Sequence, residues 1–446
     1  MKKKSIVSSI IIFNLMILIT ILLVTKNINK EQLIINKNVK NDTLFAIYLD
    51  DNVSTTVPKH SDNYSFDETK SSCNNGVTIT WDEDNWTSIL DFMNYKKETD
   101  TARVSCDLYF KSTTYSQKVI NCGGTADCMQ KYADTLPDQL AFDATADNNL
   151  RYFGSDPNNY VLVDNQLWRI IGSFNNIKTA AADTSGQTRF KLVKAENIGA
   201  WSWDSSASSV NSGWGVNEWS QADIMKVLNS GTTATSVAVY YNSASSKCYV
   251  EAANTAATCD FRTIGLKSTM KTLISNAVWN TGGTGESSRG TWLASTLYEY
   301  ERSENTGKNC STGVHCNDKV ARKTTWVNKI ALPYPSDYAF ATGGGSETTR
   351  ENCLKISANS YGETGYTDCS KNNWLFNGTN VTWTLTNYGK NTGNAANVVT
   401  IETSGNIDNT HASNVGLIYP TTYLTSTVKI TSGSGTKDDP YVLAAK

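Results

Sequence analysis

The chain has 446 residues, which is long for one domain and points to two or three. Its 40 Lys and Arg balance 42 Asp and Glu to a net charge of −2, so the chain as a whole lacks the basic footprint of a nucleic-acid binder. None of the ten cysteines forms a C-x-x-C pair, which argues against thioredoxin-like or zinc-ribbon chemistry.

MKKK opens the sequence, and an uncharged run follows from Ser5 to Val24. A run of that length crosses a bilayer as a helix. Residues 1–24 therefore read as a transmembrane signal anchor, favoured over the alternative of a cleaved signal peptide because the run is long for one and no A-x-A site follows. Lys2, Lys3 and Lys4 would stay in the cytoplasm, making a single-pass membrane protein whose bulk is extracellular. Residues 25–43 are a polar stalk with scattered lysines.

LFAIYLDD (44–51), GVTITWD (76–82) and VSCDLYF (104–110) are strand-like, the last two alternating with period two. They predict a small Ig-like β-sandwich over 44–112, serving as a spacer. Residues 113–146 read as a linker made of a disulfide loop and a short helix. Beyond it, NYVLVDNQLWRIIGSF (159–174) is a hairpin turning at Asp164-Asn165, and RFKLVKA (189–195) is a further strand. Ser220 and Asp223 form a capping-box pattern ahead of Ile224, Val227 and Leu228, with Gly231 as the stop. Further helices are expected over about 269–279, with Met270, Leu273, Ile274 and Val278 on one face, and over about 292–304. KIALPYP (329–335), NVTWTL (380–385), NVVTIE (397–402), VGLIYPTTYL (415–424) and DPYVL (439–443) return to strands. Strands, then helices, then strands define an α+β domain over 147–446.

With an extracellular location, ten cysteines imply five disulfides. Pairing sequence neighbours gives Cys73–Cys106, Cys122–Cys128, Cys248–Cys259, Cys310–Cys316 and Cys353–Cys369, one of many connectivities. The only histidines are His60, His315 and His411. His315 lies inside CSTGVHC, where a disulfide loop explains it better than a zinc site. No G-x-S-x-G, P-loop, H-E-x-x-H or EF-hand pattern occurs, and no acidic pair stands out, so neither catalysis, a metal nor a cofactor is expected. Four tryptophans, Trp201, Trp203, Trp214 and Trp219, fall in one stretch; as core anchors they would be buried, and exposed they could stack on sugars.

DNNLRYFGSDPNNYVLVDNQLWRIIGSF (147–174), VNEWSQADIMKVLN (216–229), PYPSDYAFATGGG (333–345) and the tail through GLIYPTTYL to GSGTKDDPYVL resemble blocks of an uncharacterised group of surface proteins from gut-dwelling Firmicutes-type bacteria. More distantly, the tail is similar to C-type-lectin-like folds of the formylglycine-generating-enzyme type. There a G-V-R-P-like strand closes the domain, and the matching positions are Gly416 to Pro420, with Tyr419 at or beside the arginine. The resemblance implies a C-type-lectin-like domain over 147–446. Some proteins of that fold carry a diversified C-terminal face rich in Asn, Ser, Thr and Tyr, and residues 386–414 have that composition.

The expectation is a membrane-anchored surface protein that binds an extracellular glycan or protein through its C-terminal loops, at Trp383, Asn387, Tyr388, Asn391, Asn394, Asn409 and His411. Their amides and rings offer hydrogen bonding and stacking area. The alternatives are a non-catalytic structural envelope component and an extracellular polysaccharide-acting enzyme, the latter requiring a carboxylate pair in one cleft.

Overall fold

The computed structural model describes residues 44–96, 104–205, 214–229, 241, 246–250, 255–303, 324–389 and 396–445. The chain divides into two compact units, meeting in sequence at Tyr115 and Ser116. The expected anchor and stalk, Cys310, Cys316, His315 and Gly231 lie outside the described residues, among which no helix is long and apolar enough to cross a membrane.

The first unit holds β1 (Leu44–Leu49), β2 (Asn52–Ser54), β3 (Tyr64–Phe66), β4 (Ser72–Cys73), β5 (Thr78–Asp82), β6 (Thr87–Asp91) and β7 (Ser105–Ser112). β7 is the centre: β1 pairs with it in parallel, and β3 and β4 antiparallel. Its alternation sends Cys106, Leu108 and Phe110 inward. The β5–β6 hairpin lays Trp81 on Phe66 and edge-on to Phe110, at 5.2 and 5.1 Å between ring centroids. Asp50 and Asp51 both take positive φ, the conformation of a tight hairpin turn between β1 and β2. The Cys73–Cys106 disulfide ties β4 to β7 across a directly paired position.

The second unit begins with α1 (Tyr115–Cys122) at the junction and α2 (Ala126–Lys131), joined by Cys122–Cys128. There follow β8 (Leu140–Phe142), β9 (Leu150–Tyr152), β10 (Tyr160–Val163), β11 (Gln166–Ile177), β12 (Gln187–Lys194), β13 (Ala200–Ser202) and α3 (Asp223–Leu228). Next are β14 (Ser246–Val250), β15 (Thr255–Cys259), α4 (Ser268–Leu273), β16 (Ala277–Asn280), β17 (Thr284–Gly285), α5 (Ala294–Arg302), β18 (Thr325–Asn328) and β19 (Ile330–Ala331). The last part is α6 (Pro335–Phe340), α7 (Arg350–Lys355), α8 (Asp368–Lys371), β20 (Thr382–Gly389), β21 (Asn397–Ile401), β22 (Ile407–His411), β23 (Val415–Leu417), β24 (Thr421–Tyr423), β25 (Lys429–Ser432) and β26 (Tyr441–Ala444).

Two sheets organise this unit. One runs β19-β24-β12-β11-β10-β26-β25, with β9 on β11 and β8 on β9; the other runs β13-β23-β20-β21-β22, with β17 on β20. The α+β class and four of the five disulfides agree with expectation, Cys248–Cys259 and Cys353–Cys369 included.

Several expectations are corrected. The 113–146 segment, read as a linker, is from residue 116 onward integral to the second unit: α2 packs on β11 and β12, and β8 joins the sheet. Gly124 is needed there, because at φ +71° a Cβ would sit 2.0 Å from the Ile430 carbonyl oxygen. The helix expected over 269–279 stops at Leu273, and Val278 instead lies in β16, paired with β18. Its start is capped from afar, since the Asp164 carboxylate in the β10–β11 turn accepts the Thr269 and Met270 N–H groups. KIALPYP yields to a helix at Pro335, an N-terminal position that suits proline. VGLIYPTTYL breaks before Pro420, so β23 and β24 serve different sheets. The capping box is also absent: the Ser220 hydroxyl donates to Glu218, and the Asp223 N–H donates to Asp204.

Cys353–Cys369 closes a 16-residue separation inside the core around Tyr338, Tyr361 and Trp292. Replacing both cysteines by alanine is expected to lower stability by about 2–4 kcal/mol, mainly by freeing the unfolded chain. The denaturant midpoint of purified variant against parent measures this.

Candidate functional site

Two constellations in the second unit concentrate chemistry. The first is a buried charge network. Arg151 on β9 donates from Nε to Asp143 at 2.7 Å and from Nη1 to Asp337 at 2.8 Å. Its guanidinium lies between the Phe174 and Phe340 rings, at 4.6 and 4.7 Å. Lys191 on β12 reaches the other Asp337 oxygen at 2.5 Å. Burial works against the Asp337 charge, but Lys191 and Arg151 outweigh it and hold the carboxyl below its usual range. The nearby Glu301 accepts from the Ser336 backbone and hydroxyl, and burial pushes its carboxyl up to about 7.

Asp204 behaves like Glu301. It is pushed to about 7 by burial and by neighbouring Asp223, although it accepts the Val216 and Asp223 N–H groups. Both folded values exceed the unfolded ones, so the native state retains protons that the unfolded chain releases above pH about 4–5. The stabilisation from these protons is present at low pH and lost as pH rises through 7. Each group contributes a slope of about 1.4 kcal/mol per pH unit in that window. The melting temperature is therefore expected to fall between about pH 5 and about pH 8, and Glu301→Gln should flatten part of the fall.

The second constellation is a cleft of ≈150 Å³ with an apolar floor that includes Val193, Pro333 and Ile401. Its walls are Trp374, Phe376 and Tyr419. Trp374 is fixed by its indole N–H to the Tyr152 carbonyl at 3.1 Å and by its backbone N–H to Gly154. Asn377 donates to the Tyr419 hydroxyl at 2.9 Å across the mouth. Arg169 forms one side, its guanidinium stacked between Tyr160 at 4.1 Å and Trp374 at 4.6 Å. Asn159, Asp156 and the Pro157 carbonyl accept its hydrogen bonds. Arg169 and Val193 are directly paired across β11 and β12 and so share a face, whereas Lys194 pairs with Trp168 on the opposite face, its ammonium over that ring. Rigid rings, an amide and a guanidinium are a surface for stacking and hydrogen bonding.

The residues expected to form the site are scattered. Trp383, Asn387 and Tyr388, expected on the ligand surface, lie on β20, which is buried on both faces, so their side chains face the interior. The Trp383 indole donates to the Trp201 carbonyl, the Asn387 amide donates to Thr281, and Tyr388 packs edge-on against Trp292. Asn391 and Asn394 lie outside the described residues. Asn409 and His411 are half-buried on the edge strand β22; Asn409 accepts from Asn397, and His411 stacks on Trp214 at 4.2 Å. Of the four clustered tryptophans, Trp203 and Trp219 are buried, Trp201 is half-buried and Trp214 is 38 % exposed. The cleft went unread, although NWLFNG (373–378) and Tyr419 carried its signal as aromatics interleaved with amides. No group of His, Cys, Asp and Glu among the described residues could hold a metal ion.

No protein-family model, no curated protein and no solved structure matches this chain.

Proposed function

We propose that the second unit is a sugar-binding module of a membrane-anchored, extracellular surface protein, and that it binds its ligand without transforming it. The observation that carries this reading is the cleft, where Trp374, Phe376 and Tyr419 supply ring faces and Asn377 and Arg169 supply directional donors. A volume near 150 Å³ suits one sugar ring. Sugars present apolar C–H faces for stacking and hydroxyls for the amide and guanidinium. The uncharged run from Ser5 to Val24 and the disulfides support the location.

Glycan-array screening of the full chain, followed by titration of the best hit, tests the reading. Tyr419→Ala and Asn377→Ala are each expected to weaken binding about tenfold, or ~1.4 kcal/mol. Full binding by both folded variants would remove the cleft from the account. A protein ligand is the second reading, favoured by the exposed Trp214 stacked on the half-buried His411 at the edge of the other sheet. Loss of binding in His411→Ala, with Tyr419→Ala intact, would favour it.

A further inference from the structure

We propose that Lys191 and Asp337 condense in the folded protein to an intramolecular amide, with loss of one water, so that β12 and α6 become covalently joined. The two groups are already in contact, with Nζ 2.5 Å from Oδ2, and both side chains are completely buried. Among the described residues Asp337 is the only hydrogen-bond acceptor the amine has. Ring faces enclose the rest of it: Tyr334 at 4.2 Å, Phe174 at 5.0 Å, Tyr423 at 5.5 Å and Trp279 at 5.7 Å from Nζ. The rings shut water out of the cage, and this burial lowers the amine to about 8. The neutral amine is the nucleophile that amide formation requires.

Asp337 is held from its other side. Arg151 donates to Oδ1 at 2.8 Å, and the Tyr334 N–H donates to Oδ2 at 2.9 Å. In the resting ion pair these contacts favour the carboxylate. The reaction begins when a proton moves from Nζ to Oδ2 along the existing hydrogen bond, leaving a neutral amine beside a neutral acid. The amine lone pair then attacks Cγ. Charge developing on Oδ1 meets the Arg151 guanidinium, which is held in place by Asp143 at 2.7 Å. The Cγ–Oδ2 bond breaks, and Oδ2 leaves as water with two of the three ammonium protons. One C–N bond replaces one C–O bond, and no oxidant or reductant takes part.

Two features drive the condensation. Contact within a rigid core gives an effective molarity on the order of 10⁵–10⁸ M, where free amines and carboxylates in water would stay apart. The site is also closed to the water that would reverse the step. Arg151 is a catalytic residue on this account because it touches a reacting oxygen. Glu301 bonds Ser336, the residue before Asp337, and has no step assigned to it.

Peptide mapping of the full chain decides the matter. The folded protein is purified, then denatured, reduced, alkylated and digested with trypsin. Residues 190–194 and 330–350 are expected as one branched peptide, lighter by one water than the sum of its parts, with no cleavage after Lys191. Lys191→Met should release 330–350 as a linear peptide. Recovery of linear 330–350 at full mass from the parent, with cleavage after Lys191, would overturn the proposal and leave an ion pair. A branched peptide that persists in Lys191→Met would overturn the assignment to Lys191.

Discussion

Asp337→Ala is expected to destabilise the second unit by about 3–5 kcal/mol, because it strands two buried cations at once. Arg151 would keep Asp143 but lose its Nη1 partner, and Lys191 would lose the only acceptor it has among the described residues. The Tyr334 N–H at the start of α6 would lose its bond as well. A chemical-denaturation curve of the variant should show a lower midpoint with little change in slope. The informative control is Asp51→Ala in the first unit, where Lys70 and Asp51 pair at 2.7 Å but are 51 % and 65 % exposed. That change should barely move the midpoint, since water replaces the lost partner. Equal losses in the two variants would mean that the Asp337 network carries no special weight.

Trp383→Ala separates the surface reading from the core reading. The ring is completely buried, and its indole N–H reaches the Trp201 carbonyl at 2.8 Å. Gly416 lies so close that an added Cβ there would stand 2.8 Å from the Trp383 nitrogen. Truncation leaves a cavity, so a loss of about 3–5 kcal/mol is expected. Binding per folded molecule should stay near the parent value, in contrast to Tyr419→Ala. A stable Trp383→Ala protein with weakened binding would return Trp383 to the ligand surface.

Local signals were legible in the sequence. Asp164-Asn165 predicts its turn because both residues tolerate positive φ, which they adopt at 50° and 61°. Alternation predicts which side chains of β7 face inward. Neighbour pairing of cysteines holds for the four described bridges because each closes a short local loop. The helix near 292–304 is α5, whose buried face includes Leu297, Tyr298 and Glu301.

Partnerships across long separations were not legible. Asp164 caps α4 from 105 residues away, and Arg151 meets Asp337 across 186. Nothing near either residue in sequence marks the other, because a carboxylate's partner is chosen by which elements the fold stacks. The same applies to the site. Thr382, Thr384 and Thr386 look like a solvent face, yet β20 runs through the interior, and packing on both sides overrides the polar alternation. Asn387 is tolerated there because the Thr281 carbonyl accepts from its amide. The sequence by itself determined the strand-rich α+β class and the turn chemistry, properties of residues close in the chain, while neighbour pairing of the cysteines was one of many connectivities it allowed. Only the tertiary structure decided which aromatics wall a cleft and which fill the core, and which charges are buried together, because exposure belongs to a residue's neighbours in space.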